Sequence, residues 1–568
     1  MNRLIAKISL LTLLPFVIAG CIDLNYNEIS VSDEEWVYSS PLNGVEKLVT
    51  NLYAHLDYDL WTYDGAVYSS ATDESDYSLS LSSIKNFYNG SWSSINPMSE
   101  YWDNGYATIA EANRFIEKIK DISIDEYLNN TEASGDLSYD SIKAKFELFP
   151  YEVRFIRAYM YFNLVRAYGD VPLVTKVLSD EEANSVTRTS YDEVFKFIVS
   201  ECDAIAEYLP ISFTTELSEQ TGRATRLSVM ALKAKALLYY ASPLFNTASD
   251  AGRWDKAALA CKQVIDCAKS WGFKLDSYSN IWGENNYTSP EIIMYRPLGT
   301  SKTFETNNFP VGVENGNGGN CPTQTLVDAY EYKASGKSFG EVWSAAEINI
   351  TQDKPYDGLD PRFELTVAKN GDVWPSYTKA PLEIYYGGAN GAPIYGATTT
   401  GYYLKKYCDN AVVITTNNSV SKKHSWIVFR LGEFYLDFAE AAYNYLGSAE
   451  SQGEYGLSAN EAINVLRNRD DIKMPAFSGE EGFVERYRRE RMVELAFEGS
   501  RFWDIRRWGI GQEVSANVQG AELSKDDNGN IILKRTRIAR NWENKYNLFP
   551  IPYSELQIND NLTQNPEW

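Results

Sequence analysis

Glu490, Glu494 and Glu498 fall at i, i+4 and i+8, so a helix would carry all three on one face. Two chemistries use such a set. A glycosidase needs two carboxyl groups flanking a glycosidic bond, one of them protonated as the acid. An ion-pair ladder needs cations alongside, and Arg486, Arg489, Arg491 and Arg501 are near in sequence, with Arg467 and Arg469 a little upstream. Unpaired like charges repel at this spacing, and a packed helix hides them from a polymer substrate. The ladder is therefore the expected role, and no residue is expected to be catalytic.

No other group gathers into a reactive constellation. The two histidines, His55 and His424, are far apart, which leaves little material for a zinc cluster or a Ser-His-Asp arrangement. Asp526-Asp527-Asn528-Gly529 has a trace of a calcium loop. With Gly529 in the sixth position, however, Arg535 stands where the closing glutamate must be. Asn528-Gly529 ahead of Ile531, Ile532 and Leu533 reads instead as a hairpin turn. The glycines between Gly312 and Gly319 are not followed by Gly-Lys-Ser/Thr and form no phosphate loop. No metal and no cofactor are expected.

Cys21 carries a different chemistry. Arg3 and Lys7 precede an apolar run from Ile8 to Ala19, and Ile18-Ala19-Gly20 lead directly into the cysteine. A basic start, an apolar middle, small residues and then cysteine make a lipoprotein signal, with residues 1–20 removed and the Cys21 thiol joined to lipid. The run is shorter than the roughly 20 apolar residues that span a bilayer. The mature chain would thus sit on a membrane without crossing it, held by more than one acyl chain. Five other cysteines, with no short-spaced pair, argue against a disulfide framework.

The formal net charge is −24, and it grows more negative once Arg3 and Lys7 leave. Such a field repels nucleic acid and other polyanions and leaves neutral ligands unaffected. The 40 tyrosines and 14 tryptophans suit recognition of sugars or peptides, because their flat apolar faces end in a polar edge.

These residues must be positioned by helices. Apolar stripes predict helices over 44–58, 101–119, from Pro150 to 168, 191–209, 226–241, 254–268, 427–445, 458–469 and 482–508, the last interrupted at Gly499. They follow one another in pairs. Small residues such as Ala231, Ala234, Ala257 and Ala260 would let paired helices approach closely, as in tetratricopeptide-type hairpins, which complete a core only by stacking. Residues 270–425 differ, with many glycines and short tyrosine-rich strands at Glu383–Tyr386 and Tyr402–Tyr407. The expected division is a helical region over 21–269 and a loop-rich C-terminal region over 270–568, folded as one unit.

The ninth helix reads RRERMVELAFEGSRFWDIRRW (488–508), and the chain ends LFPIPYSELQINDNLTQNPEW (548–568). Between and before them stand CPTQTLVDAYE (321–331), DPRFELT (360–366), TGYYLKKY (400–407), FRLGEFYLDFAEAAYN (429–444), AINVLRNRD (462–470) and AYGDVPL (167–173). In this order, behind a lipidated cysteine, they resemble the SusD/RagB family of outer-membrane nutrient-binding lipoproteins. Ser500 departs from a frequent His and Glu567 from a frequent Gly. The resemblance implies a mainly α fold: four tetratricopeptide-like hairpins as scaffold, with a loop-rich, partly β region packed on one side. It implies a non-enzymatic protein, lipid-anchored at the outer face of the outer membrane, that passes a nutrient to a TonB-dependent SusC-like barrel. A neutral oligosaccharide is the expected ligand. A surface glycosidase, or a binder of peptides or another non-glycan nutrient, is the alternative.

Glycan-binding members use loop aromatics flanked by polar groups. Three clusters here fit that description: Tyr77, Phe87, Tyr88 and Trp92 with Asn86 and Asn89; Trp282 and Tyr287 with Asn285 and Asn286; and Trp374 with Tyr377. Trp61 and Tyr63 are further candidates. Trp102, Trp503 and Trp508 belong to helices and are expected in the core.

Overall fold

A computed structural model describes residues 37–38, 44–128, 138–212 and 222–568. The signal stretch and Cys21 lie outside the described residues. No helix among the described residues is long and apolar enough to cross a membrane.

The frame consists of α1 (Glu46–Tyr53), α2 (Glu100–Lys118), α3 (Tyr139–Tyr168), α4 (Tyr191–Ile205), α5 (Arg226–Ala241), α6 (Ala251–Ser270), α7 (Leu431–Leu446), α8 (Ala459–Arg467), α9 (Phe483–Glu494) and α10 (Ser500–Arg507). From α2 to α8 each helix packs on the next, so the hairpins stack in sequence as tetratricopeptide pairs do. Caps fix several starts. Thr225 accepts the Ser228 N–H at α5, and Ser458 accepts the Glu461 N–H at α8, each within a capping box. The alanine-rich α5 is buried on nearly all sides, which lets it sit between α4 and α6.

Several boundaries differ from those read in the sequence; the helix read over 44–58, for one, ends at Tyr53. Pro150 does not open α3 but lies inside it, eleven residues from its start. Ile142 and Phe149 extend the buried stripe upstream, and their packing sustains the helix through the missing N–H. The helix read from Ile427 begins at Leu431, because Ile427–Arg430 complete a strand.

The remaining chain packs beside this frame around a second apolar core, which includes Phe309, Tyr330, Phe363 and Leu404. Its strands of three or more residues are β1 (Ser75–Tyr77), β2 (Ile292–Ser301), β3 (Asn320–Pro322), β4 (Glu347–Asn349), β5 (Lys422–Arg430), β6 (Gln519–Lys525) and β7 (Ile531–Arg537). β1 pairs with β3, and β2 with β5, all antiparallel. β6 and β7 form the expected hairpin about Asn528-Gly529, with β4 on the other edge of β7. Tyr403–Leu404 is a two-residue strand, whereas Glu383–Tyr386 is no strand but the entry to a loop. The fold is thus mainly α, with the partly β region against its side.

Candidate functional site

The three carboxylates of the ninth predicted helix are paired, but largely with cations other than those near them in sequence. Arg362 donates to Glu490 at 2.7 Å, to Glu494 at 2.8 Å and to Asp360 at 2.6 Å. Arg430 donates to Glu494 and Glu291 at 2.9 Å, and to both oxygens of Glu498 at 2.7 and 2.9 Å. Arg469 bridges Glu291 and Glu494, Arg467 bridges Glu331 and Glu490, and Lys406 meets Glu498 at 2.8 Å. Of the expected partners, only Arg467 and Arg469 hold. Arg491 turns to Asp437 and Asp504, and Arg501 to Asp73. Arg489 reaches Glu331 at 3.4 Å, while Arg486 donates to carbonyls.

This network is almost wholly buried. Burial alone would raise the Glu494 carboxyl, but Arg469, Arg430 and Arg362 together outweigh it and hold the group far below the ordinary carboxylate range. At Glu490 too burial pushes the carboxyl up, and Arg362 and Arg467 outweigh it and hold the group below its ordinary value. Neither carboxyl is poised to give up a proton near neutral pH, and no polymer could reach it. The role is mechanical. Arg362 and Lys406 belong to the loop region, while Glu490 and Glu494 belong to α9, so the ion pairs fasten the loops to the frame.

The loop aromatics named from sequence are mostly structural. Tyr77 is buried and donates to the Asp64 carbonyl at 3.0 Å. Tyr88 is buried beneath the Arg540 guanidinium, 3.7 Å from its ring centre, and donates to Asp76. Trp92 is wedged among Phe87, Phe549 and Trp568, with centroids 4.8–5.0 Å away, and donates to the Pro97 carbonyl. Trp374 donates to the Leu404 carbonyl from the second core, and Tyr63 is buried too. A ring covered on both faces cannot stack on a sugar, so the expectation fails for Tyr77, Tyr88, Trp92 and Trp374. Trp374 fills the loop region's own core, while Tyr77, Tyr88 and Trp92 complete the core of the helical frame. Trp282 and Tyr287 are half-buried. Trp282 carries the Lys406 ammonium 4.0 Å over its ring, and Tyr287 lies against Tyr295. The six residues do not converge on one surface. Trp102, Trp503 and Trp508 are in the core as expected.

Among the described residues, the most exposed aromatics of the loops are Tyr395 and Tyr386, 78% and 68% exposed. Both stand on the glycine-rich segment 383–399. This loop is held from below. Asn390 donates to the Val311 carbonyl at 2.7 Å and accepts the Glu383 N–H, while Tyr403 donates to the Asn390 carbonyl at 2.6 Å. Gly387 N–H meets the Ala392 carbonyl, and Tyr386 N–H meets the Leu523 carbonyl of β6. Gly391 is required, since a Cβ there would come 2.3 Å from the Tyr385 carbonyl. Next to Tyr395, a Cβ at Gly396 would lie 3.0 Å from the Asn317 carbonyl and 3.4 Å from Leu79. The turn therefore adjoins two other loops, which expose Asn317, Ser80 and Leu81. The result is an exposed turn that presents the Tyr395 ring next to loops carrying apolar, amide and hydroxyl side chains. Such a face can take the C–H side of a sugar ring while polar neighbours meet its hydroxyls. The signal for Tyr395 was in the sequence: an aromatic inside Pro393-Ile394-Tyr395-Gly396, outside any helical stripe.

Stacked helical hairpins with a loop-rich, partly β region packed on one side define a class, the helical-repeat scaffolds. A model described as the SusD family matches residues 278–568, and one described as starch-binding and associating with the outer membrane matches residues 31–238. The chain belongs to the SusD family, whose members bind carbohydrate and associate with the outer membrane. The SusD-like protein P2 of Formosa agariphila is 25% identical over 98% of this chain and 98% of its own. The crystal structure of a SusD-like protein from Bacteroides fragilis, 26% identical, superposes with a TM-score of 0.76 over 94% of this chain and 99% of that one. A laminarin-binding SusD-like protein, 22% identical, shares the fold with a TM-score of 0.63 over 92% of this chain and 99% of its own.

Proposed function

We propose that this protein is a surface lipoprotein that binds a neutral oligosaccharide and passes it to a TonB-dependent SusC-like outer-membrane transporter, without cleaving it. The observation that carries the ligand reading is the pinned loop 383–399, which holds Tyr395 in solvent beside Asn317. The acidic charge favours a neutral ligand over a polyanion. The carboxylates that a glycosidase would need on α9 are locked in buried ion pairs. Family membership and the Ile18-Ala19-Gly20-Cys21 signal support an anchor at Cys21, with residues 22–31 as tether.

Isothermal titration with laminarin and starch oligosaccharides tests the binding face. Tyr395→Ala and Tyr386→Ala are each expected to weaken binding about three- to tenfold, in line with the loss of one aromatic contact. Unchanged affinity in both variants would place the site elsewhere. Release of shorter sugars on incubation with pure protein would overturn the non-catalytic reading. Co-purification of a TonB-dependent barrel with the anchored protein tests the partner.

A further inference from the structure

A second aromatic surface stands on the helical frame, away from the loops. Tyr151 of α3 and Tyr208, in the single turn that follows α4, lie face to face with centroids 4.3 Å apart and planes within 2°. Tyr208 is 58% exposed, so its outer face is open while its inner face is fixed by Tyr151. Ile211 beside it is also exposed. Arg154, one turn along α3 from Tyr151, donates through Nε and Nη2 to the two oxygens of Glu201, at 3.1 and 2.8 Å. Both phenols lie close enough to act on the charge of Arg154. On the other flank, Arg226 holds the Glu207 carbonyl at 2.9 Å and its carboxylate at 3.2 Å.

A tyrosine that only filled a gap would be covered. This one is oriented by its partner and left open, and the exposed Glu207 carboxylate with the Arg226 guanidinium offers an acceptor and donors at its edge. A flat apolar platform with such an edge matches the C–H face and vicinal hydroxyls of a pyranose. We propose that the Tyr151–Tyr208 stack is a second carbohydrate contact, which grips a polymer chain at a point apart from the loop face. The inference rests on the reading of this protein as a binder of neutral glycans. Two weak contacts on one polymer raise its apparent affinity without any new interaction at either site, because the second contact is intramolecular.

Native gel retardation in laminarin, soluble starch, xylan and mannan tests the idea, alongside calorimetry with the matching pentasaccharide. Tyr208→Ala is expected to weaken retardation by the polymer about three- to tenfold and to change pentasaccharide affinity less than twofold. Tyr208→Phe keeps the stack and should behave as wild type. If Tyr208→Ala migrates as wild type while Tyr395→Ala loses binding, the second contact is wrong and the loop face stands. If Tyr208→Ala is impaired and Tyr395→Ala is not, the second contact stands and the loop reading falls. If no polymer retards the wild type, both fall. Unchanged thermal melting of Tyr208→Ala excludes loss of fold as the cause.

Discussion

Replacing Arg430 by methionine should destabilise the protein measurably at neutral pH and much less in acid. Arg430 is about 1% exposed and supplies every donor of its guanidinium to the network: Glu291, both oxygens of Glu498, and Glu494 through side chain and carbonyl. Methionine fills similar space but leaves three buried carboxylates short of one cation. Removing one partner from a buried ion pair costs about 3–5 kcal/mol, because the remaining charge stays desolvated. For a chain of 568 residues the unfolding entropy is about 1.2 kcal/mol per kelvin, so a two-state melt should fall by about 3–4 °C at pH 7. The pH dependence follows from the sign of the shifts. In the wild type Glu291, Glu490 and Glu494 are held below their ordinary values. Their stabilisation is present above the ordinary carboxylate range and is lost as pH falls through the depressed folded values. In the variant Glu291 and Glu494 lose part of that depression and take up protons more readily, so its deficit should narrow as pH drops toward about 4. Differential scanning calorimetry at pH 7 and pH 4.5 reads both effects. A melt within 1 °C of wild type at pH 7, or a deficit that widens in acid, would refute the charged network.

Other variants probe separate parts. Trp92→Ala should cost about 3–5 kcal/mol by opening a cavity among Phe87, Phe549 and Trp568, seen as a lowered melting temperature; a loss of glycan affinity at unchanged stability would restore Trp92 to the binding face. Burial pushes the Glu74 carboxyl up to about 8, so the folded protein keeps a proton that the unfolded chain gives up above about pH 4.3. Stability should therefore fall by about 1.4 kcal/mol per pH unit from there toward pH 8, and Glu74→Gln should melt above wild type at pH 8 but not at pH 4.5; parallel pH profiles would contradict this. Cys21→Ser should move the protein from the membrane fraction to the soluble fraction on fractionation and leave calorimetric glycan affinity unchanged; continued membrane retention would exclude the anchor.

The helical frame was readable because its stripes are long and its stops are local: Gly169 directly follows α3, and Pro210 and Pro243 stand two residues past the turn after α4 and past α5. Pro150 misled because packing by Ile142 and Phe149 overrode a local rule. The charge network was half readable. Spacing showed that Glu490, Glu494 and Glu498 share a face, but their partners Arg362, Arg430 and Lys406 come from other segments, 64 to 132 residues away for three of the bonds. The motifs DPRFELT, TGYYLKKY, FRLGEF and LRNRD, which carried the resemblance, each place a cation in this one cluster. Loop aromatics were the least readable. An aromatic between helices reads the same whether it fills a second core, as Trp374 does, or stands in solvent, as Tyr395 does, and only the thickness of the loop region decides.

The fastening of loop 383–399 separates two kinds of change. Asn390, Tyr403 and Gly391 hold the backbone of that loop from inside, and the ion pairs of α9 hold the region beneath it. The side chains of Tyr395, Ile394 and Asn317 are exposed. Substitutions at those outer positions change what the face offers a ligand at little cost to folding. One frame of this kind can therefore be refitted for different glycans by a few exchanges on its rim, with its interior untouched. A new specificity would be sought there, in the short exposed turns, and not in the motifs that make the family recognisable.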